Sequence, residues 1–340
     1  MNMTPPRLPG LQILRALAAL MVLIGHVLAE AEHYFGISLP GDAIPWTRGV
    51  DIFFIISGFV ITLSVSRFLG QPAAFLRRRL LRVVPLYYLF TTLMVAVLLV
   101  MPAGAKDTTL DPMQILNSYT FIPYARADGR IAPVLSLGWT LNYEVYFYVV
   151  ASLCLALPRP LLSLGMFMVA IAGLGLMIDF QSPQLSFWTN PIILEFLMGI
   201  GLARLWQRGW HRPHLGVAVV GAGLGLGLLI AFDPTPLPRL IAAGLPAAMI
   251  VASGTLLCPQ YRLPGMIWGD ASYALYLSHR FSLRAVTLLL LPLLPSTVFG
   301  GAIYVTIVCI TALAVGLATH LWIERPMIRA LTPGPRGVPA

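Results

Sequence analysis

LQILRALAALMVLIGHVL, Leu11 to Leu28, is apolar enough to span a bilayer yet carries Arg15 and His26. An ionisable group at mid-helix costs roughly 2.5–3.5 kcal/mol on insertion scales, so two in one span need a reason. Their spacing makes just over three helical turns, which puts both on nearly the same face, about 16 Å apart along the axis. Ala18, Ala19 and Val22 lie on or beside the stripe between them, low enough for a substrate or another helix to approach. The pattern reads as a lined path through a membrane rather than a lipid-facing surface.

The rest of the chain agrees with a membrane setting. Of 340 residues, 58% are hydrophobic and only 10% charged, with a mean hydropathy of +0.83, more apolar than any soluble core requires. Apolar segments of about 20 residues fall near 10–30, 49–66, 83–101, 138–157, 161–178, 191–206, 215–232, 239–257, 271–292 and 299–322. The expected fold is therefore all-α: a polytopic transmembrane bundle of about 10 helices, forming one domain over 1–340 with no room for a second.

The net charge of +9 would suggest nucleic acid in a soluble protein, but here the arginines sit in short loops. With a cytoplasmic N-terminus, only Arg48, Lys106, Arg126, Arg130 and Arg239 fall outside. Arg15, Arg280 and Arg284 lie within spans, and the remaining fourteen of the 22 basic residues are inside. That asymmetry places both termini in the cytoplasm. Ala29-Glu30-Ala31 resembles a signal-peptidase site, but Arg15 within the apolar run and the later crossings argue against cleavage. Cys154, Cys258 and Cys309 have neither pairing number nor metal spacing and read as core residues. No metal and no permanently bound cofactor is expected.

Three acids, Asp51, Glu144 and Glu195, lie in or at the ends of spans, against three span arginines. Structural pairing competes with function for each of them. Asp51 is placed to approach the His26 end of the first helix, while Glu195 reads as a helix contact. Ser57 and Gly58 would permit close packing. Arg77, Arg78, Arg79 and Arg82 form the strongest charge run, either a positive-inside anchor or a docking surface for a phosphorylated cytoplasmic cofactor. The long loop 102–137 carries Tyr119, Phe121, Tyr124, Arg126, Asp128 and Arg130, suited either to sugar contact or to interfacial anchoring. The fourth span opens GWTLNYE, with Asn142 and Glu144 just inside the outer half, and the ninth carries SYALYLSHR, ending in His279 and Arg280. No P-loop, dinucleotide fingerprint or Gly-x-Ser-x-Gly elbow is present. Residue pattern alone leaves a transporter or flippase relay open beside an enzyme.

The Arg15/His26 pair, GVDIFFIISGF at 49–59, the arginine run leading to Pro85 and Tyr87, WTLNYE at 139–144 and SYALYLSH at 272–279 occur in an order that resembles the membrane-bound acyltransferase-3 family. These are bacterial proteins that O-acylate carbohydrates and some small molecules. GWTLNYE, FIP at 121–123 and the short single-domain length are most similar to the exopolysaccharide O-acetyltransferase subgroup. The serine-rich variant of WTLNYE and the extra hydrolase-like domain found in other branches are missing. The resemblance implies an acyl-CoA donor, most often acetyl-CoA, a hydroxyl of an extracellular or lipid-linked glycan as acceptor, and the bacterial inner membrane as location. A small-molecule acceptor, a structural role in a polysaccharide assembly complex, and homo-oligomers all stay open.

His26 then becomes general base or transient acyl carrier. Arg15 is assigned to donor binding or to the thioester oxygen, and Arg77, Arg78, Arg79 and Arg82 to the donor's phosphates. Glu144 or Asp51 is expected to hold the His26 tautomer. Trp139, Asn142, Tyr143, His279 and Arg280 are expected at the substrate.

Overall fold

The computed structural model describes residues 8–36, 38–39, 41–42, 44–101, 110–210, 214–232, 237–256 and 266–332. The described chain is built from helices α1 (Pro9–Phe35), α2 (Gly49–Val65), α3 (Pro72–Val100), α4 (Pro112–Thr120), α5 (Trp139–Cys154), α6 (Pro160–Met177), α7 (Pro183–Trp188), α8 (Leu194–Leu205), α9 (Leu215–Phe232), α10 (Leu245–Thr255), α11 (Met266–Leu290), α12 (Val298–Thr319) and α13 (Arg325–Leu331). Among the described residues there is no strand beyond an isolated bridge between Ala125 and Ile131. Cys258 lies outside the described residues, while Cys154 and Cys309 are free thiols on α5 and α12.

Helix occupies all ten expected spans, though not all are equally apolar. Among the described residues, seven helical stretches are long and apolar enough to cross a membrane. The other three are α5, of 16 residues, the stretch Leu240–Thr255 and α11. In α11 it is Asp270, His279, Arg280 and Arg284 that dilute the apolar content. α6 and α9 turn Leu162, Met166, Val169, Leu215, Val219 and Leu224 outward, as lipid-facing helices do.

Local chemistry sets several helix boundaries. Proline stands in the first turn of α1, α3, α4, α6 and α7, where its missing amide costs nothing. Asp111 caps α4 by accepting from the Met113 and Gln114 amides. α1 ends at Gly36, whose φ of 64° suits glycine. α3 begins eleven residues before its expected apolar start, so the arginine run is helical rather than a loop. Loop 102–137 likewise contains α4, whose last turns are tied to α3 by the Tyr87 and Tyr88 hydroxyls, which donate to the Ser118 and Tyr119 carbonyls.

Two helix pairs organise the centre. α1 and α11 run parallel: Gly269 abuts Gln12 near their starts, His279 meets His26 midway, and Arg284 donates to the Tyr34 hydroxyl at 2.9 Å beyond. An alternately threaded ten-span chain has its first and ninth crossings in the same direction, as found. α2 and α8 also run parallel, with Asp51 and Glu195 on a shared Arg239 at one end and Phe59 against Trp206 at the other. Gly58 faces the Phe196 carbonyl and Gly199 the Ile55 carbonyl, so closely that a Cβ on either would collide with backbone. Small residues allow this approach between membrane helices. Phe147 of α5 stacks on Phe196 at 4.2 Å, joining this pair to the core.

Candidate active site

The centre of the site is an imidazole pair. His26 is half-buried on α1 and His279 is buried on α11. His26 Nδ1 lies 2.9 Å from the Val22 carbonyl and 3.3 Å from His279 Nε2. His279 Nδ1 lies 3.1 Å from the Leu275 carbonyl. Each imidazole thus bonds one turn back on its own helix, which fixes the ring against the helix barrel. Tyr276, one turn before Arg280, donates to the Leu137 carbonyl at 3.0 Å and pairs with the Thr140 hydroxyl at 2.9 Å, tying α11 to the start of α5. Its ring lies 6.1 Å from that of His279, between centroids.

The arginine-rich end of the same helix pair holds most of the remaining charge. Arg15 is half-buried, donates to Gln12 at 3.4 Å and feels Arg82, Asp270, Glu324 and Glu144. Glu144 accepts from Ser57 at 3.2 Å and from the Tyr148 hydroxyl. Arg79 donates to Ser64 and lies over the Phe75 ring at 5.5 Å. The Tyr273 hydroxyl donates to the Val83 carbonyl at 2.7 Å. Beside Glu324, His320 closes a buried contact at 2.6 Å within the π-helical turn His320–Glu324; such turns recur at functional sites.

The four-arginine run is sorted by helix geometry. Arg77, Arg78 and Arg82 are exposed, with Arg78 over Phe68 at 6.0 Å and Arg82 near enough to act on Arg15, while Arg79 turns inward. On the far side of the histidine pair, Glu30 is buried one turn beyond His26. Glu30 and Arg280 are the charged groups that act on His26.

Several expected neighbours are elsewhere. Asp51 accepts both bonds of Arg239 Nη2, at 2.8 and 3.0 Å, and Glu144 serves Ser57 and Tyr148. Among the described contacts neither carboxylate orients His26; the Val22 carbonyl and His279 do. Asn142 is buried, but two residues along a helix is 200° of rotation, so it does not share the Glu144 face. Tyr143 stacks on Phe187 at 3.8 Å and Trp139 meets Phe54 and Tyr143 edge-on. These two therefore pack the wall that carries Thr140.

The sequence marked Arg284 only as a span arginine, and site roles for Glu30, Tyr34, Tyr148, Tyr273 and His320 were not read from it. Glu30 and Tyr34 follow His26 at intervals of four, the signal that could have found them.

A family model described as "Acyltransferase domain" matches residues 8–320. The chain is 32% identical over 323 residues to "Exopolysaccharide production protein ExoZ" of Rhizobium meliloti (strain 1021), covering 90% of this chain and 95% of that one. It is 27% identical to "Acyltransferase MdmB" of Streptomyces mycarofaciens, over 96% of this chain and 94% of that one. With "O-acetyltransferase OatA" of Staphylococcus aureus (strain NCTC 8325 / PS 47) it shares 28% identity over 60% of this chain and 35% of OatA. No solved structure matches.

Proposed function

The chain belongs to the acyltransferase family whose domain it carries and is a multi-pass membrane O-acyltransferase, and on that premise we propose that it moves an acyl group, acetyl in the first instance, from acyl-CoA to a hydroxyl of an extracellular or lipid-linked polysaccharide in the bacterial inner membrane. The observation that carries the proposal is the half-buried His26 with its ring fixed by Val22 and His279, in line with Arg15 on the same helix face. The similarity to a protein named for exopolysaccharide production, over nearly the whole of both chains, supports a glycan acceptor.

In this reading the arginine end receives the donor. Exposed Arg77, Arg78 and Arg82 and the half-buried Arg79 and Arg15 present guanidinium forks that suit the nucleotide phosphates of acyl-CoA. About 16 Å of helix separates Arg15 from His26, more than an arginine side chain spans, so Arg15 holds the donor rather than the thioester oxygen. Between them Ala18, Ala19 and Val22 are buried, with Gly49 of α2 packed on Ala18 and Val22. That stripe is helix packing rather than a path, and the donor's arm passes it to bring the thioester to the half-buried His26. The acceptor approaches from the Glu30, Arg280 and Arg284 side.

A sugar hydroxyl is a poor nucleophile at neutral pH, and His26 Nε2 takes its proton as the oxygen attacks the thioester carbon. The C–S bond breaks, and the leaving thiolate recovers that proton from His26. The other course, in which Nε2 itself takes the acyl group before passing it on, uses the same nitrogen.

The test is transfer of labelled acetyl from acetyl-CoA to envelope polysaccharide by purified, bilayer-reconstituted protein. The expected result is an alkali-labile ester formed by the wild type, and a loss of about 10²–10⁴-fold in His26→Ala. Transfer that survives His26→Ala would overturn the mechanism, and passage of unmodified glycan without acyl-CoA would establish a transporter instead.

A further inference from the structure

We infer that His279 is a positioning residue whose ring nitrogen Nε2 accepts a hydrogen bond from His26 Nδ1–H and so fixes His26 as the tautomer with its lone pair on Nε2. The inference rests on the acyl-transfer reading and assigns to His279 a part in the same site other than contact with substrate.

The assignment follows from what a carbonyl can do. A backbone oxygen only accepts, so a ring nitrogen 2.9 Å from the Val22 carbonyl carries the proton. The same reasoning at 3.1 Å from the Leu275 carbonyl puts the His279 proton on Nδ1. His279 Nε2 is then a lone pair, and it faces the His26 Nδ1–H at 3.3 Å. That hydrogen is shared between Val22 and His279 in a three-centre arrangement, a common form near helical carbonyls. The reverse assignment, with His279 Nε2 donating, would leave a His26 lone pair pressed against the Val22 oxygen. Both ring tautomers are therefore set by the two backbone carbonyls, one turn back on each helix.

The consequence is chemical. His26 Nε2 is the sole basic nitrogen of that ring, and it is the half-buried side chain of the pair, whereas His279 is 1% exposed. When Nε2 takes the hydroxyl proton, or the acyl carbon, the ring becomes cationic while Nδ1–H stays in place. The His279 lone pair then receives a charge-assisted hydrogen bond that was neutral in the resting state. It stabilises the charged ring more than the resting one, which is the condition for lowering a barrier. No proton moves to His279, and both rings return to their starting state when the proton or acyl group leaves. The role is the same for base and carrier mechanisms.

Two measurements test this. In solid-state NMR of 15N-histidine protein in bilayers, wild type is expected to show a scalar coupling across the hydrogen bond between His26 Nδ1 and His279 Nε2, with Nε2 of His26 unprotonated. Absence of that coupling, or a protonated His26 Nε2, overturns the inference whether or not an acceptor has been found. In the transfer assay, His279→Leu is expected to lower kcat about 10- to 100-fold, the range seen when an imidazole loses its orienting partner, with KM for acetyl-CoA unchanged. His279→Gln, whose amide oxygen can accept from the same N–H, is expected to restore most of the rate. Equal loss in the two variants, with the folded state retained, would contradict the inference. Coupling present but no transfer by any variant would count against the acyl-transfer reading alone.

Discussion

The α1–α11 and α2–α8 pairs are both parallel, central and interrupted by charge, yet they use polar residues in opposite ways. In α1–α11 the polar groups face one another along the whole length, from Gln12 and Arg15 through His26–His279 to Tyr34–Arg284, half-exposed apart from the buried His279. Backbone meets backbone near the start, where Gly269 abuts the Gln12 carbonyl. In α2–α8 the helices close on Gly58 and Gly199 until backbone meets backbone, and the polar group is a knot at one end, with Asp51 and Glu195 fully buried beside Arg239. Charge within a membrane span is thus not one signal. Along α1–α11 it is strung through the seam with part of it exposed; in α2–α8 it is a buried knot that ties two helix ends to Arg239.

The largest expected effect would break the closed pair. Gly199→Leu puts a branched side chain where even a Cβ has no room against the Ile55 carbonyl, and the obstruction is backbone, which cannot rotate away. The expected outcome is loss of the folded protein, read as collapse of the monodisperse peak in size-exclusion chromatography of the detergent extract. A well-folded Gly199→Leu protein would show that α2 and α8 can separate freely, and the contrast between the pairs would fail. His279→Leu, at the middle of the α1–α11 pair, is expected to leave that peak in place while lowering the rate.

A smaller effect sharpens the contrast from the polar side. Asp51→Asn removes the charge and one of the two acceptor oxygens that Asp51 offers Arg239, which is itself 36% exposed and keeps Glu195 and solvent within reach. The expected cost is about 2 kcal/mol, the range for a hydrogen bond to a charged group, measured by urea unfolding in mild detergent. The kcat per folded molecule is expected to stay unchanged. Lost activity with intact stability would place Asp51 in the chemistry, as its proximity in sequence to the outer end of the first helix suggests.

Periodicity made the faces of single helices legible and left their partners hidden. Arg15 and His26 were visible as one stripe because both sit on one helix with a known pitch. The His26–His279 contact joins residues 253 apart in sequence, and nothing in either segment announces which helix the other will meet. Asp51 was drawn toward His26 because both approach the same membrane face, but Arg239, 188 residues away, takes both its bonds. The arginine run was visible as charge; only its helical phase, fixed once α3 starts at Pro72, turns Arg79 inward and leaves Arg77, Arg78 and Arg82 exposed. Glu30 was counted with the loops because the apolar run stops there, while α1 continues to Phe35 and buries it.

The smallest effect concerns the segment that carries α4, where the carboxylates of Asp111 and Asp128 stay within reach of water and join no two spans. The Asp111 carboxyl is held below its ordinary range by the Tyr124 hydroxyl, which donates at 2.6 Å, and then by the amides of Met113 and Gln114. Asp128 is likewise held down, by Arg130. A carboxyl lowered on folding contributes stability that is present above its unfolded pKa and is lost as pH falls through the folded value. The start of α4 should therefore loosen only below the usual carboxylate range, while the neutral bonds Tyr276–Leu137 and Tyr273–Val83 hold the bundle. Hydrogen exchange of the Met113–Thr120 amides, corrected for intrinsic rate, is expected to quicken across that acid window in wild type. In Asp111→Asn, which still caps the helix but does not ionise, the acid-dependent step is expected to vanish. A step of the same size in both proteins would mean that the bundle's own acids control this segment, joining the two regions that the helix pairs suggest are independent.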